Sequence, residues 1–341
     1  MKISRKVKKI LSESESVVIL ISRPIDLDCM GSGLGLRGQL IKEGKMVDLV
    51  SAFDLPVLAE VLPQTSLIEK KNVSKLDFDK YDLVITLDGG NARQFADVAS
   101  DSDFNFGGAL NILNIDHHLG SMHFAKYEIW DPKASSTSEV LLSTLIDIDL
   151  LSKDEATLLY AGLLGDTGNF KYNFSAKTLQ LASKLIDKGA DFKVLVNQYF
   201  YSNQKSDFKI LSRAMDRTKF NDKLGYSYLV VNEKLWKKEL NVKHKEMESG
   251  LYLYKNIFLR SIDGINIGFI LVKTGKGFYV QFRGNSYHNK IPLFQIGSSM
   301  GVIGQGHANA GGFIVEESDA EVLLEKLEKV LVKLVQKYNQ L

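Results

Sequence analysis

The chain has 341 residues, of which 45% are hydrophobic and 25% charged, a composition typical of globular proteins. This length exceeds what one hydrophobic core usually serves, so we expect two domains. Lys and Arg number 43 and Asp and Glu number 41, which gives a formal net charge of +2. The balance argues against an extended basic surface for long nucleic acid, but it leaves room for a small nucleotide ligand.

Cysteine content and the length of apolar segments indicate in which cellular compartment the protein is expected. The single cysteine, Cys29, cannot form a disulfide within the chain, which favours a reducing environment. No apolar stretch typical of a signal peptide follows the basic N-terminus, and the longest apolar runs, such as residues 17–21, are too short to span a bilayer. We therefore expect a cytoplasmic protein without a membrane partner.

The first half of the chain alternates short apolar runs with helical patterns. Strands are expected at residues 17–21, 46–51, 82–87 and 110–115, with a helix at 31–42. Continuous apolar strands interleaved with helices predict an α/β fold whose parallel sheet is covered on both faces. The pattern then becomes helical up to about residue 201, with helices expected at 138–146, 153–164 and 176–188.

A second, smaller region follows a helix expected at residues 204–217. Its predicted strands are 226–231, 265–273 and 277–283, and its predicted helices are 292–300 and 319–338. We accordingly predict three segments: an α/β domain at residues 1–200, a helical linker at 201–222, and a smaller α+β domain at 223–341. The active site is expected in the cleft between the two domains, a common location for ligand sites.

Three predicted strands end in loops that carry acidic or histidine side chains. These side chains are Asp26 and Asp28 after the first strand, Asp88 after the third, and Asp116, His117 and His118 after the fourth. Loops at the carboxyl ends of parallel strands meet at one crevice, so we expect these groups to lie together. Asp166, in a loop after a helix, adds a further carboxylate.

Converging carboxylates repel one another unless a cation neutralises them. Carboxylates with some imidazole suit hard or borderline divalent ions, above all manganese, with magnesium as the alternative. A carboxylate between two ions about 3.5–4 Å apart can bridge them, and such pairs activate water for in-line attack on phosphorus. The pattern therefore predicts two divalent ions and phosphoester chemistry.

Four motifs along the chain occur together in one known family. They are Asp-x-Asp-x-x-Gly-Ser at 26–32, Asp-His-His at 116–118, Asp-Pro-x-x-Ser-Ser-Thr at 131–137 and Asp-Thr-Gly-x-Phe at 166–170. A glycine-rich segment at 304–312 follows a strand that carries Arg283. The chain resembles the DHH phosphoesterases with a DHH-associated C-terminal domain. Its length and domain order are similar to the nanoRNase (oligoribonuclease)/pAp-phosphatase branch.

The resemblance implies roles for individual residues. One ion would be held by Asp26 and Asp88, and the other by Asp28, Asp88, His117 and Asp166. Asp116 would orient His117, while His118 and Arg283 would act on the substrate phosphate as catalytic groups. Substrate binding would involve Arg283, His307, Gly304, Gly306 and Ser32.

One position departs from the family pattern. The family usually has a histidine four residues before the first motif aspartate, and Ser22 stands there. The ion at Asp26 would lack its nitrogen ligand, so we expect that site to be weak, to take magnesium, or to fill only with substrate. Cys29 lies nearby and is expected to pack in the interior rather than to act as a nucleophile.

The sequence predicts an enzyme that hydrolyses short oligoribonucleotides, dinucleotides or 3′-phosphoadenosine 5′-phosphate (pAp) to mononucleotides. Two alternatives stay open: a cyclic dinucleotide phosphodiesterase, and a degenerate nucleotide-binding protein without catalysis, which Ser22 suggests. Short RNA is the expected partner, and homodimer formation is left open.

Overall fold

The computed structural model describes residues 3–98, 104, 106, 111–285, 291–302, 305–307 and 309–339. The chain divides into two compact units, Met1–Ser202 and Asn203–Leu341. Within the described residues, no helix is long and apolar enough to cross a membrane.

The first unit is built from helices and parallel strands. In chain order they are α1 (Arg5–Glu13), β1 (Ser16–Ile21), α2 (Leu27–Lys42), β2 (Met46–Ser51), β3 (Glu69–Lys70), β4 (Leu83–Leu87), β5 (Ile112–Asp116), β6 (Tyr127–Trp130), α3 (Thr137–Leu142), α4 (Lys153–Thr167), α5 (Ala176–Asp187) and α6 (Phe192–Phe200).

The sheet of the first unit has the order β3-β2-β1-β4-β5-β6, and its neighbouring strands are all parallel. This confirms the predicted α/β fold with a parallel sheet. Strands β2 and β3 extend the sheet on one side of β1, and the chain then returns to add β4, β5 and β6 on the other side. The strand order therefore reverses between β1 and β4. In open parallel sheets, ligands bind outside the carboxyl ends of the strands at such a reversal.

Both faces of the sheet are buried, which explains the continuous apolar runs in the sequence. Alternate residues of β1 point to opposite faces. Ile19 and Ile21 belong to the core cluster that includes α2 and α4, whereas Val18 and Leu20 pack in a second cluster with Phe95.

Glycines allow α2 and α4 to lie against each other. A Cβ at Gly31 of α2 would lie 2.2 Å from the carbonyl oxygen of Leu158, and one at Gly35 would lie 2.8 Å from the Leu159 side chain. Helix α2 begins at Leu27, four residues before the predicted start, because Asp26 caps its N-terminus.

The second unit contains the remaining elements. They are α7 (Lys205–Arg217), β7 (Lys219–Asn221), β8 (Tyr226–Val231), α8 (Glu233–Leu240), α9 (His244–Ile257), β9 (Ile267–Lys273), β10 (Phe278–Gly284), α10 (Phe294–Ser299), β11 (Gln305–His307), β12 (Ala310–Val315) and α11 (Ala320–Asn339).

The second sheet has the order β11-β12-β10-β9-β8-β7 and is mixed, with β8 and β9 parallel and the other pairs antiparallel. The smaller α+β fold predicted for this region is thus confirmed. Helix α7 lies within the predicted linker of residues 201–222. Its side chains Ile210 and Ala214 are buried in the same cluster as Met247 and Tyr254 of α9, so this helix contributes to the core of the second unit.

Substituting alanine at Gly31 tests the close packing of α2 and α4. Alanine normally stabilises a helix by about 1 kcal/mol relative to glycine. Here the new methyl group would meet a backbone carbonyl that cannot rotate away, so we expect the free energy of unfolding to fall by about 1–3 kcal/mol in chemical denaturation.

Gly275→Ala provides the control, because a Cβ at Gly275 meets nothing within 4 Å and should change stability by no more than about 0.5 kcal/mol. A Gly31→Ala protein as stable as the parent would show that the two helices do not depend on this contact.

Candidate metal centre

The acidic residues after β1 are placed by the N-terminus of α2. Asp26 is the N-cap residue of this helix, and its Oδ1 accepts hydrogen bonds from the backbone N–H groups of Asp28 (3.0 Å) and Cys29 (3.1 Å). The cap fixes the direction of the Asp26 carboxylate and places Asp28 in the first turn of the helix.

Asp28 is fully buried and is held by a second helix N-terminus. Its Oδ2 accepts from the backbone N–H of Thr137 (2.6 Å) and its Oδ1 from that of Ser138 (3.0 Å), both in the first turn of α3. Backbone N–H groups at a helix N-terminus favour negative charge. The Asp-Pro-x-x-Ser-Ser-Thr motif therefore serves to place this helix end against Asp28, a role that the sequence alone did not reveal.

Asp88 lies directly after β4, next to the point where the strand order reverses. Its backbone has a φ of +62°, in the left-handed region that few non-glycine residues adopt. The Thr137 hydroxyl donates to Asp88 Oδ1 (2.9 Å), and the Ser22 hydroxyl donates to the Asp88 carbonyl oxygen (2.5 Å). These contacts hold an unusual backbone conformation that turns the carboxylate toward its neighbours.

His117 joins Asp88 to Asp166. Its Nε2 lies 3.0 Å from Asp166 Oδ2 and 3.5 Å from Asp88 Oδ1, and its Nδ1 lies 3.2 Å from the carbonyl oxygen of Ala134. A carbonyl oxygen can only accept, so Nδ1 carries a proton, and Nε2 faces the two carboxylates. A proton or a cation at Nε2 makes this arrangement favourable.

Asp116 contacts His118. It was predicted to orient His117, and in the structure its Oδ1 accepts hydrogen bonds from the ring Nδ1 (2.6 Å) and the backbone N–H (3.1 Å) of His118. Burial by itself raises the pKa of Asp116, but the hydrogen bonds and charge of His118, together with the charge of His117, lower it below its usual value. Asp116 thus holds the His118 ring, while the Ala134 carbonyl contacts that of His117.

Among the described residues, three groups of side chains offer donor atoms within 4.8 Å of one another. They are Asp28, Asp88, His117 and Asp166; Asp88, His117 and His118; and Asp26, Cys29 and Asp88. Asp88 belongs to all three. The structure thus brings together the five residues predicted as metal ligands, and it adds Cys29, to which the sequence analysis gave only a packing role.

Burial and mutual repulsion raise the pKa values of three of the carboxyl groups. Burial, followed by the charges of Asp166 and Asp28, raises the pKa of Asp26 to about 7. Burial and the charge of Asp166 raise the pKa of Asp28 to about 6, and burial with the charges of Asp28 and Asp26 raises the pKa of Asp88 well above its usual value. A divalent cation would remove this repulsion, and the donor set of carboxylates with one imidazole fits such an ion.

The residues predicted to bind substrate lie in both units. Ser32 is buried within α2, where its hydroxyl donates to the Cys29 carbonyl oxygen (3.4 Å), so its placement does not favour contact with a ligand. Gly306 and His307 lie on β11, and Gly304 lies outside the described residues.

Arg283 lies on β10, on the same face of the strand as Gln281, whose Oε1 accepts from Lys255 Nζ (2.5 Å). Burial, followed by the charge of Arg283, lowers the pKa of Lys255 to about 7. Lys255 and Arg283 therefore lie close enough for the charge of the arginine to affect the ionisation of the lysine.

The carboxyl pKa values predict how stability depends on pH. Asp26 and Asp28 bind protons more tightly in the folded state than in the unfolded chain, so stability falls as pH rises from about 4 to about 7. Burial lowers the pKa of His117, but Asp166 raises it to a net value of about 9, so its contribution is lost between about pH 6.5 and 9. We expect the metal-free protein to have a lower Tm at about pH 8 than at about pH 5.

Manganese should raise the Tm more at about pH 8 than at about pH 5, because the ion competes with protons for the same groups. Thermal unfolding in chelator and in Mn²⁺ across this range measures both effects, and Asp26→Asn should flatten the pH dependence. A Tm of the metal-free protein that increases from about pH 5 to 8 would contradict the assignment.

Comparison with known proteins identifies the family. Residues 16–163 match the DHH family, N-terminal domain. The chain is 31% identical over 227 residues to the "Probable bifunctional oligoribonuclease and PAP phosphatase NrnA" of Streptococcus mutans, an alignment that covers 66% of this chain and 68% of that protein. It is 26% identical to the cyclic-di-AMP phosphodiesterase PdeA of Listeria monocytogenes, over 58% of this chain and 31% of that protein.

A solved structure supports the fold over nearly the whole chain. The exopolyphosphatase-related protein from Bacteroides fragilis superposes with a TM-score of 0.78 at 21% identity, and the match covers 96% of this chain and 95% of that one. With the Asp-His-His segment placed at the carboxyl end of β5 and the family match extending across this sheet, the chain belongs to the DHH family of phosphoesterases.

Proposed function

We propose that this chain is a two-metal phosphoesterase that hydrolyses short oligoribonucleotides and dinucleotides, and also pAp, to mononucleotides. The observation that carries the proposal is the convergence of Asp28, Asp88, His117 and Asp166, whose donor atoms lie within 4.8 Å of one another. The similarity to the S. mutans protein, whose name describes an oligoribonuclease and PAP phosphatase, supports this choice of substrate.

The proposed ligands form two sites that share Asp88. One ion would be held by Asp26 and Asp88, and the other by Asp28, Asp88, His117 and Asp166, with manganese favoured over magnesium. Divalent ions supply such a site with Lewis-acid chemistry, which makes water a better nucleophile near neutral pH and neutralises charge on phosphoryl oxygens.

The remaining proposed roles concern the phosphate and the nucleotide. His118, held by Asp116, would neutralise charge that develops on the phosphate in the transition state. Arg283 and His307 of the second unit would bind the nucleotide, since the planar guanidinium of arginine suits phosphate oxygens. Thr137 would keep Asp88 in position through its hydroxyl group.

Cyclic dinucleotide hydrolysis is the second candidate. It is favoured by the similarity to the Listeria protein, whose name describes a cyclic-di-AMP phosphodiesterase. The alignment with the Listeria protein covers only 31% of that protein, whereas the alignment with the S. mutans protein covers 68% of that one. Short linear substrates therefore remain the leading proposal.

A substrate panel with Mn²⁺ tests the proposal. We expect 5′-phosphorylated dinucleotides to be converted to mononucleotides, and kcat/KM to fall for RNA longer than about five nucleotides, because a chain of net charge +2 gains little from additional phosphates. Cyclic di-AMP and pAp on the same panel separate the two candidates. A kcat/KM that rises steadily with RNA length would contradict the preference for short substrates.

Two variants show whether turnover comes from this centre. Asp88→Asn should abolish activity more completely than Asp26→Asn, because Asp88 belongs to all three donor groups. Near-normal turnover by Asp88→Asn would refute its bridging role. If the parent protein hydrolyses nothing on the panel, a nucleotide-binding protein without catalysis is the better description.

A further inference from the structure

The donor set around Asp26 differs from the one around Asp28. The second group contains the imidazole of His117, whereas the position expected to supply a nitrogen to the first is occupied by Ser22. The Ser22 side chain is buried, and its hydroxyl donates its proton to the Asp88 carbonyl oxygen (2.5 Å). A neutral hydroxyl engaged in this way is a poor ligand for a divalent ion.

Cys29 places a sulfur atom beside the same two carboxylates. The Sγ of Cys29 and carboxylate oxygens of Asp26 and Asp88 all lie within 4.8 Å of one another. The side chain is fully buried, and the backbone N–H of Asp26 donates to Sγ (3.2 Å). Cys29 thus borders the apolar core, while its sulfur lies among polar atoms at the N-terminus of α2.

These separations fit one ion. A zinc-like ion binds thiolate sulfur at about 2.3 Å and carboxylate oxygen at about 2.0–2.2 Å, so two donors on one ion lie no more than about 4.5 Å apart. Donor atoms that are within 4.8 Å of one another reach this arrangement with shifts of a few tenths of an ångström. Asp26 is held as a helix cap and Asp88 by the contacts of its backbone and side chain, so both carboxylates are already in place near the sulfur.

We propose that the Cys29 thiolate is a ligand of the ion held by Asp26 and Asp88, and supplies the donor that Ser22 does not. This inference rests on the metal centre that the proposed function requires. On binding, the Sγ–H bond breaks and an Sγ–metal bond forms. The proton passes to solvent, and its charge balances the charge that the thiolate neutralises on the ion.

A thiolate changes which ion the site prefers. Soft sulfur ligands select zinc and similar transition metals, whereas carboxylates and imidazole also suit manganese and magnesium. The two sites of this chain should therefore differ in selectivity. Zn²⁺ or Co²⁺ should be favoured at Asp26, Cys29 and Asp88, and Mn²⁺ should be accepted at Asp28, Asp88, His117 and Asp166.

Cobalt titration of the full chain tests the assignment directly. Cys29 is the only cysteine, so a thiolate-to-Co²⁺ charge-transfer band in the near ultraviolet can arise from this side chain alone. We expect the band to grow with one of two bound equivalents of Co²⁺. It should be absent in Cys29→Ser and Cys29→Ala, both of which should still bind the other ion.

Calorimetry with Zn²⁺ and Mg²⁺ gives a second readout. Cys29→Ser should weaken one of the two Zn²⁺ affinities by more than about 100-fold, because losing even an outer-sphere partner of a ligand costs about 10–100-fold. Mg²⁺ affinity should change little, since magnesium prefers oxygen ligands. Met30→Leu is the matched control: it removes the neighbouring buried sulfur of similar volume and should leave the band and both affinities unchanged.

Two results would overturn the inference. If the parent protein binds two Co²⁺ ions without a charge-transfer band, Cys29 is not a ligand, while the metal centre and the proposed function still stand. If calorimetry detects no Co²⁺, Zn²⁺ or Mn²⁺ binding at all, the metal centre fails, and both the Cys29 assignment and the proposed function fail with it.

Discussion

Electrostatic repulsion among carboxylates at the carboxyl ends of β1 and β4 is the constraint around which the first unit is arranged. Burial, together with the charges of neighbouring carboxylates, raises the pKa values of Asp26, Asp28 and Asp88. Keeping such groups together requires compensation, and part of it comes from backbone N–H groups, in addition to the charge of His117 beside Asp28. The N-terminus of α2 binds Asp26, and that of α3 binds both oxygens of Asp28.

Asp166 lies in a different electrostatic position. It belongs to the last turn of α4, where the helix dipole disfavours negative charge. His117 lies 3.0 Å away and is the group that balances it. Protonation of His117 supplies a positive charge, and a divalent ion between the same atoms would supply it in the proposed metal centre. The cluster therefore requires a cation, and a divalent cation would also suit the proposed binding of phosphate oxygens.

Helix packing fixes the distances within this cluster. Asp28 lies on α2 and Asp166 on α4, and the glycines along the two helices allow the helices to approach. Gly162 is particularly constrained, because a Cβ there would lie 2.3 Å from Asp28 Oδ1 and 2.1 Å from Ser138 Oγ. The hydrophobic core and the charged centre are thus coupled, since the same helix contact determines both.

The sequence predicted the helices and strands whose pattern of apolar residues matches the side chains that are buried in the structure. The strand at residues 46–51 and the strand at 226–231 have the predicted bounds because each is a continuous or alternating apolar run. Strand β6 was missed, since it is an edge strand of only four residues, of which Ile129 alone is buried. The early start of α2 was missed because all four residues of its first turn, 27–30, are buried, so that the turn is not amphipathic.

The candidate site was predictable as a set of residues but not as a set of contacts. Motif spacing located Asp28, Asp88 and His117, because loops after parallel strands converge. It could not show that Asp116 contacts His118, or that the N-terminus of α3 holds Asp28, because these pairings depend on side-chain direction across separate loops. The sulfur of Cys29 beside Asp26 was hidden for the same reason.

A crystal structure of the Co²⁺-loaded protein, with anomalous scattering used to locate the ions, tests the two-ion centre most directly. We expect two anomalous peaks about 3.5–4 Å apart, with the Asp88 carboxylate between them and His117 Nε2 bound to one. A single peak, or peaks that Asp88 does not contact, would contradict a centre built on this shared carboxylate.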